Sequence, residues 1–126
     1  MNNLLSIDFG ERYMGFAIRT VKTQIPIPIE VVDIKKDNIA NKISTYVYSY
    51  DINKFIIGYP VGMNLSENRM TNNVDNFIEE ELKKYNLPIS KIDERFTSEL
   101  IKNSKKDRVD DLSALEILET YIKNND

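Results

Sequence analysis

The topology is set by the stretch Leu4–Gly10, Leu-Leu-Ser-Ile-Asp-Phe-Gly, in which a short apolar run stops at a glycine. Tyr13–Thr20 follows after a tight connection and has residues compatible with a β-strand. We interpret the two segments as a β-hairpin. Gly15 lies inside the second strand, where the missing side chain permits either close approach of a backbone or ligand or simple packing.

A third strand is predicted around Glu30–Asp33. Pro26 and Pro28 precede it, and proline lacks the N–H that a central strand must donate. We therefore expect the segment that holds the prolines to be a loop that leads into an edge strand. The three strands would form an antiparallel meander.

The middle of the chain alternates helical and strand patterns. After Asp37 or Asn38 as N-cap, apolar residues recur every three or four positions up to Tyr50, which predicts an amphipathic helix. Lys54–Tyr59 is nearly all apolar, as expected for a parallel strand that is covered on both faces. A second amphipathic helix opens near Ser66 and forms the crossover.

The last third supplies one more strand, Ile89–Glu94, a short helix from Thr97 and a final helix. We expect that helix to pack through the apolar face Leu112, Leu115, Leu118 and Ile122, widened by Ala114, Ile117 and Tyr121. The order is β-β-β-α-β-α-β-α-α. A mixed five-stranded sheet with helices on both faces is the α/β arrangement of the ribonuclease H-like folds.

The composition limits the catalytic and metal-binding groups that this chain can use. The 126 residues, 41% hydrophobic and 29% charged, suit one globular domain, which we expect to span residues 1–126. The chain has no cysteine and no histidine. Disulfide frameworks, thiolate nucleophiles, zinc sites built on sulfur and imidazole bases are therefore excluded. Catalysis would have to use carboxylates, lysine, tyrosine or a hard cation.

The charge and hydropathy patterns constrain partners and location. A net charge of -3 argues against nonspecific coating of nucleic acid, although local basic patches stay possible. The longest apolar run is far shorter than the roughly 20 residues of a membrane span. Because the N-terminus shows no basic region before an apolar core, it does not resemble a secretory signal, and we expect a cytoplasmic protein with no membrane partner.

Carboxylates follow three predicted elements. Asp8 ends the first strand, Asp93 and Glu94 end the last one, and Asp110 and Asp111 open the final helix. Ligands of open α/β sheets bind beyond the carboxyl ends of strands, so these groups could converge on one rim. The alternatives are turn formation by Asp8 and helix capping by the aspartate pair.

Several clustered carboxylates repel one another unless a cation neutralises them, and oxygen ligands of this kind suit Mg²⁺ or Mn²⁺. Two such ions can activate a water and stabilise the leaving oxygen in phosphodiester hydrolysis, with no need for histidine or cysteine. The composition is compatible with that mechanism.

A phosphate backbone must also be held by cations. The segment Lys102–Arg108 is rich in basic residues and immediately precedes the aspartate pair. Each cation could equally be a solvated surface charge. The candidates for nucleic-acid contact are Arg12, Arg69, Arg95, Lys105, Lys106 and Arg108. Three tyrosines, Tyr46, Tyr48 and Tyr50, resemble a stacking set, but their spacing favours packing on a helix.

Four ordered motifs resemble those of the bacterial YqgF family, from about Leu4 to Tyr121. They are Ile7-Asp8-Phe9-Gly10 with Arg12, Gly15 and Ala17; Ile57-Gly58-Tyr59-Pro60; Asp93-Glu94-Arg95-Phe96-Thr97-Ser98; and Val109-Asp110 with Ser113-Ala114, Ile117-Leu118 and Tyr121. Members are described as Holliday-junction-resolvase-like proteins and as nucleases that mature the 5′ end of precursor 16S ribosomal RNA, with a ribonuclease H-like fold.

The resemblance implies an acidic triad of Asp8, Glu94 and Asp110, which would be both the catalytic residues and the ligands of Mg²⁺ or Mn²⁺. It also places Arg12 and Arg95 at basic positions near the triad. One departure is Asn64-Leu65-Ser66, where similar proteins usually have a glycine before the crossover helix.

Three functions follow as hypotheses. The favoured one is a metal-dependent endonuclease that hydrolyses phosphodiester bonds in precursor 16S ribosomal RNA. The alternatives are a Holliday-junction resolvase that acts on branched DNA and a noncatalytic module that binds RNA or a ribosome-assembly partner. We expect a monomer or a weak homodimer.

Overall fold

A computed structural model describes residues 2–60, 65–93 and 110–125. Within these ranges, the strands are Leu4–Asp8 (β1), Tyr13–Arg19 (β2), Ile27–Asp33 (β3), Lys54–Tyr59 (β4) and Ile89–Asp93 (β5). The α-helices are Ile39–Ser49 (α1), Leu65–Phe77 (α2) and Asp110–Asn125 (α3). The short helix predicted from Thr97 lies outside the described residues. No helix in the described ranges has the length and apolar character needed to cross a bilayer.

The strands form one mixed sheet in the order β3-β2-β1-β4-β5. β1 pairs antiparallel with β2 and parallel with β4, and β5 pairs parallel with β4. The central strand β1 is almost entirely buried, as is the middle of β4. The predicted five-stranded sheet is therefore confirmed, with the hairpin on one side and the crossover strands on the other.

The start of β3 differs from the prediction. The strand begins at Ile27 rather than near Glu30, so Pro28 lies within it. Its pairing with β2 shifts between Phe16 and Ala17, where Glu30 and Pro28 are the successive partners. β3 is the edge strand, so a proline there can direct its ring nitrogen away from the ladder, and the irregular register accommodates it.

Two hydrophobic layers cover the sheet, because side chains alternate between its faces. Leu5 and Ile7 join a cluster that includes residues of α1 and α2, whereas Leu4 packs with residues of α3. Full burial of one such side chain stabilises the fold by about 1.5–3 kcal/mol. We call these the α1/α2 face and the α3 face.

The face of α3 that packs on the sheet is narrower than the sequence suggested. Leu112 is 38% exposed, whereas the residues with the spacing i, i+3, i+4 and i+7 are buried. These are Ala114, Ile117, Leu118 and Tyr121. Leu115 and Ile122 are partly buried and pack against the same cluster, so Leu112 is the member of the predicted face that stays exposed.

On the α1/α2 face, the position of helix α1 agrees with the prediction. Asn38 is the N-cap of α1, since its side chain accepts a hydrogen bond from the Asn41 N–H. Tyr46 is buried in the core and Tyr48 is exposed, with its ring 6.4 Å from that of Tyr85. Tyr50, the C-cap of α1, is partly buried against the same core. Tyr46 and Tyr50 therefore pack in or on the core and Tyr48 packs at the surface against Tyr85, as expected.

α2 does not end as a regular helix. It continues into a single π-helical turn, Ile78–Leu82, and then a 3₁₀ turn, Lys83–Tyr85. Ile78 and Leu82 are buried, and three glutamates, Glu79, Glu80 and Glu81, fill the positions between them. Isolated π-turns of this kind are frequent at functional sites.

Candidate active site

Asp8 ends the central strand at the carboxyl edge of the sheet. β1, β4 and β5 are parallel, so their last residues, Asp8, Tyr59 and Asp93, lie along one edge. This is the edge where ligands of open α/β sheets bind. Asp8 and Asp93 therefore end their strands on the rim that the sequence predicted.

The direction of α3 follows from two side-chain contacts. The Ser6 hydroxyl donates a hydrogen bond of 2.7 Å to the Ala114 carbonyl oxygen, near the start of the helix. Lys54 Nζ donates to the Tyr121 hydroxyl oxygen at 2.8 Å, where β4 begins and α3 nears its end. α3 therefore runs antiparallel to β1 and begins at the carboxyl edge.

These contacts bring the backbone of Asp110 toward Asp8. Asp8 is two residues beyond Ser6 and on the same face of β1, about 7 Å further along the strand. Asp110 is four residues before Ala114, about 6 Å further along the helix in the same direction. The end of β1 and the start of α3 thus meet at one end of the α3 face.

Glycines flank Asp8 on both neighbouring strands. Its partner on β2 is Gly15, and the β4 register, which pairs Ile7 with Ile57, puts Gly58 next to it on the other side. Neither neighbour contributes a side chain at this level of the α3 face. A helix terminus or a ligand can therefore come close to the sheet there.

The turn between β1 and β2 requires Gly10. A Cβ on Gly10 would lie 2.1 Å from the Tyr13 carbonyl oxygen, far inside van der Waals contact. Phe9, on the other side of the chain from Asp8, packs its ring 5.4 Å from that of Phe77 on the α1/α2 face. Together these contacts fix the segment that carries Asp8.

The structure describes only part of the predicted acidic triad. The Asp8 side chain is partly exposed. Asp110 opens α3, but its side chain and the whole of Glu94 lie outside what the structure describes. In the part that it does describe, no three acidic side chains form a group able to hold a metal ion. The triad stays a prediction.

Among the predicted nucleic-acid contacts, the structure describes two arginines, and both form ion pairs. Arg12 binds Asp33 with two hydrogen bonds, 3.0 Å from Nε to Oδ1 and 3.1 Å from Nη2 to Oδ2. Arg69 on α2 binds Glu11 in the same bidentate manner. Outside the described residues lie Arg95, Lys105, Lys106 and Arg108. A phosphate contact by Arg12 would have to share or replace Asp33.

The ion pair between Arg12 and Asp33 changes the protonation of both groups. The hydrogen bond from Arg12 holds the pKa of the Asp33 carboxyl below its usual value, with a further backbone hydrogen bond from Lys35. In turn, Asp33 raises the pKa of Arg12. Both side chains therefore stay ionised at neutral pH, and Arg12 is held beside the β1–β2 turn.

One cluster at the carboxyl edge was not predicted. The Tyr59 hydroxyl donates to Asp75 at 2.9 Å, Lys91 Nζ lies 3.2 Å from the same carboxylate, and the Lys91 ammonium lies 4.5 Å from the centre of the Tyr59 ring. Partial burial and the hydrogen bond to Asp75 raise the pKa of Tyr59, so its hydroxyl stays protonated. One sequence signal could have located part of this cluster. Lys91 and Asp93 alternate with the apolar Ile92 along β5, which indicates that both lie on the same face of the sheet.

Comparison with known sequences gives matches along nearly the whole chain. A family profile described as "RuvX: Holliday junction resolvase" matches residues 2–124. A protein of Dictyoglomus turgidum is 33% identical over 97 residues, which cover 75% of this chain and 68% of that protein. One of Bacteroides thetaiotaomicron is 31% identical over 137 positions and covers 98% of each chain. Both carry the name "Putative pre-16S rRNA nuclease".

Two solved structures share the fold. T. thermophilus RuvC, solved in complex with a Holliday junction substrate, superposes with a TM-score of 0.65 at 8% identity, over 98% of this chain and 96% of that one. The fowlpox virus Holliday junction resolvase gives a TM-score of 0.54 at 13% identity, over 97% and 99%. The fold is ribonuclease H-like, as predicted. With residues 2–124 matched, the chain belongs to the RuvX Holliday junction resolvase family, the YqgF family of the sequence resemblance.

Proposed function

We propose that the protein is a divalent-metal-dependent nuclease that hydrolyses phosphodiester bonds during 5′-end maturation of precursor 16S ribosomal RNA. The observation that carries the proposal is the meeting of Asp8 and the start of α3 at the carboxyl edge, fixed by the bond from Ser6 to Ala114. The names of the relatives support the same substrate. Precursor ribosomal RNA would be met in the cytoplasm.

The donor set fits a hard cation. Asp8 offers carboxylate oxygens at a partly exposed position, and oxygen ligands suit Mg²⁺ and Mn²⁺. Glu94 directly follows β5 in the chain, and Asp110 begins α3. We assign these three residues as the metal ligands. When bound, the divalent ions would activate a water and stabilise the leaving oxygen, a role that requires neither histidine nor cysteine.

The remaining residues bind and position the substrate in this proposal. Arg12 lies next to the turn that carries Asp8, and its side chain is 46% exposed despite the pair with Asp33. It can therefore present an N–H to a phosphate oxygen. Arg95, Lys105, Lys106 and Arg108 are proposed to hold the phosphate backbone, since they flank the proposed ligands in the sequence.

A direct test incubates the full chain with Mg²⁺ or Mn²⁺ and two substrates, an end-labelled precursor 16S ribosomal RNA fragment and a four-way DNA junction. We expect cleavage of the RNA, loss of cleavage in Asp8→Asn, and full cleavage in Asp37→Asn, which removes an exposed carboxylate elsewhere. Asn has almost the shape of Asp, so Asp8→Asn should stay folded.

The other outcomes separate the alternatives. Cleavage of the junction alone would favour a resolvase acting on branched DNA, the activity in the family's description. Binding of RNA without cleavage under every metal condition would favour a noncatalytic module. Equal cleavage by the wild type and Asp8→Asn would show that the activity does not come from this site.

A further inference from the structure

A cavity of about 360 Å³ opens on the α1/α2 face at the carboxyl edge. Its apolar wall is made by the β1–β2 turn, the start of β2, the connection into α1 and the end of α2. The residues are Phe9, Met14, Ile34, Ile39 and Phe77. Phe9 and Asp8 extend to opposite sides of the chain, so this cavity and the proposed metal site lie back to back.

The polar wall of the cavity is acidic. It includes Glu11, Glu80 and Glu81 together with Asn73 and Asn76, and among the described residues no lysine or arginine lines it. Glu11 is paired with Arg69, and Glu81 with Lys84 at 3.2 Å. Glu80 is exposed, and no described side chain forms an ion pair with it. The cavity therefore presents a carboxylate beside apolar surface.

This combination excludes several ligands. A phosphate backbone would meet the unpaired carboxylate of Glu80, and the cations nearest the other two glutamates are already paired with them, so the cavity does not extend a nucleic-acid path. A bare divalent ion would gain little, because two of the carboxylates already have cationic partners and the opposite wall is apolar. A cationic group that is joined to an aliphatic side chain satisfies both walls at once.

We infer that this cavity docks a protein segment in which a leucine, isoleucine or methionine neighbours a lysine or arginine. The apolar side chain would lie against Phe9, Met14 and Phe77, and the cation would reach Glu80. The π-turn positions this glutamate, since it holds Ile78 and Leu82 in the core and leaves the residues between them at the surface. The inference concerns a partner protein and does not depend on nuclease activity.

The test measures fluorescence anisotropy of a labelled peptide of alternating leucine and arginine with the full chain, at low and at moderate salt. The control peptide alternates glycine and arginine, with the same charge and no apolar side chains. We expect the leucine peptide to bind about tenfold more tightly, because only it can cover the apolar wall.

Two matched variants locate the site. Asn76→Lys adds a cation to an exposed residue that lines the cavity, and Asn72→Lys adds the same charge to an exposed residue of α2 that does not line it. We expect Asn76→Lys to weaken binding at least about fivefold by charge repulsion, and Asn72→Lys to change it by less than about twofold. Glu80→Gln should weaken binding by about threefold to tenfold.

Equal binding of the two peptides would overturn the inference, because it would show only general attraction to an acidic protein. Equal effects of the two lysine variants would overturn it too. Failure of the leucine peptide to bind would also overturn it. If, in addition, the wild type self-associates in sedimentation and Asn76→Lys abolishes this, the cavity belongs to an interface between two copies.

Discussion

Ser6 and Ala114, 108 residues apart in the chain, are joined by a buried hydrogen bond of 2.7 Å from the Ser6 hydroxyl to the Ala114 carbonyl oxygen. Ser6 is a fully buried polar residue between the apolar residues Leu5 and Ile7 of β1. Its hydroxyl would cost free energy in that position without a partner. This contact ties the strand that ends at Asp8 to the helix that begins at Asp110.

Ser6→Ala should therefore affect both stability and cleavage. We expect a loss of about 1 kcal/mol in the free energy of unfolding, the usual value of one hydrogen bond, measured by urea titration. Cleavage should fall further than binding of RNA, because the start of α3 is released from β1. Ser6→Thr keeps the hydroxyl and should retain more activity. Unchanged cleavage in Ser6→Ala would mean that this contact does not position the site.

Gly10→Ala tests the turn that carries Asp8. The added methyl group would meet the Tyr13 carbonyl oxygen at 2.1 Å, so the turn must move. We expect a destabilisation of about 1–3 kcal/mol, the range of overpacked positions, together with a lower cleavage rate. Thermal or urea unfolding measures the first effect. A variant with wild-type stability and wild-type cleavage would contradict the tight turn.

The pair between Arg12 and Asp33 predicts a pH dependence of stability. Because Arg12 lowers the pKa of Asp33 in the folded protein, the folded state binds a proton less readily than the unfolded chain. The contribution is full above the unfolded pKa of about 3.9 and is lost as pH falls through the lower folded value.

Urea unfolding across this pH range checks the sign. The difference in stability between the wild type and Asp33→Asn should be largest at neutral pH and should shrink at acidic pH. Arg12→Gln should remove the same pH-dependent part, since it removes the cause of the shift. A difference that stays constant with pH would show that the pair does not contribute in this way.

Much of the fold could be predicted because local patterns and tertiary contacts agree. Three patterns each predicted an element: the apolar strand before Gly10, the nearly continuous apolar run Lys54–Tyr59 and the amphipathic helix after Asn38. The edge position of β3 followed from its prolines. Its start did not, because the shift in register at Phe16 and Ala17 is a tertiary adjustment that local propensity does not specify.

The candidate site was predictable at the level of elements and less so at the level of contacts. Strand order brought Asp8 to the carboxyl edge, and the parallel β1–β4–β5 arrangement is what the crossover pattern implied. The contacts of Arg12 with Asp33 and of Lys91 with Tyr59 depend on side-chain pairing between strands. Alternation along β5 indicates the face on which Lys91 lies, but a single sequence does not specify its partner. The same limit applies to the π-turn after Phe77.

Asp8, Glu94 and Asp110 are proposed to bind divalent ions together, and a Mn²⁺ titration by calorimetry tests this without substrate. The protein should bind Mn²⁺, and Asp8→Asn, Glu94→Gln and Asp110→Asn should each weaken binding by about tenfold or more, whereas Asp111→Asn should bind as the wild type does. Equal Mn²⁺ affinity in the wild type and all three triad variants would contradict the shared metal site.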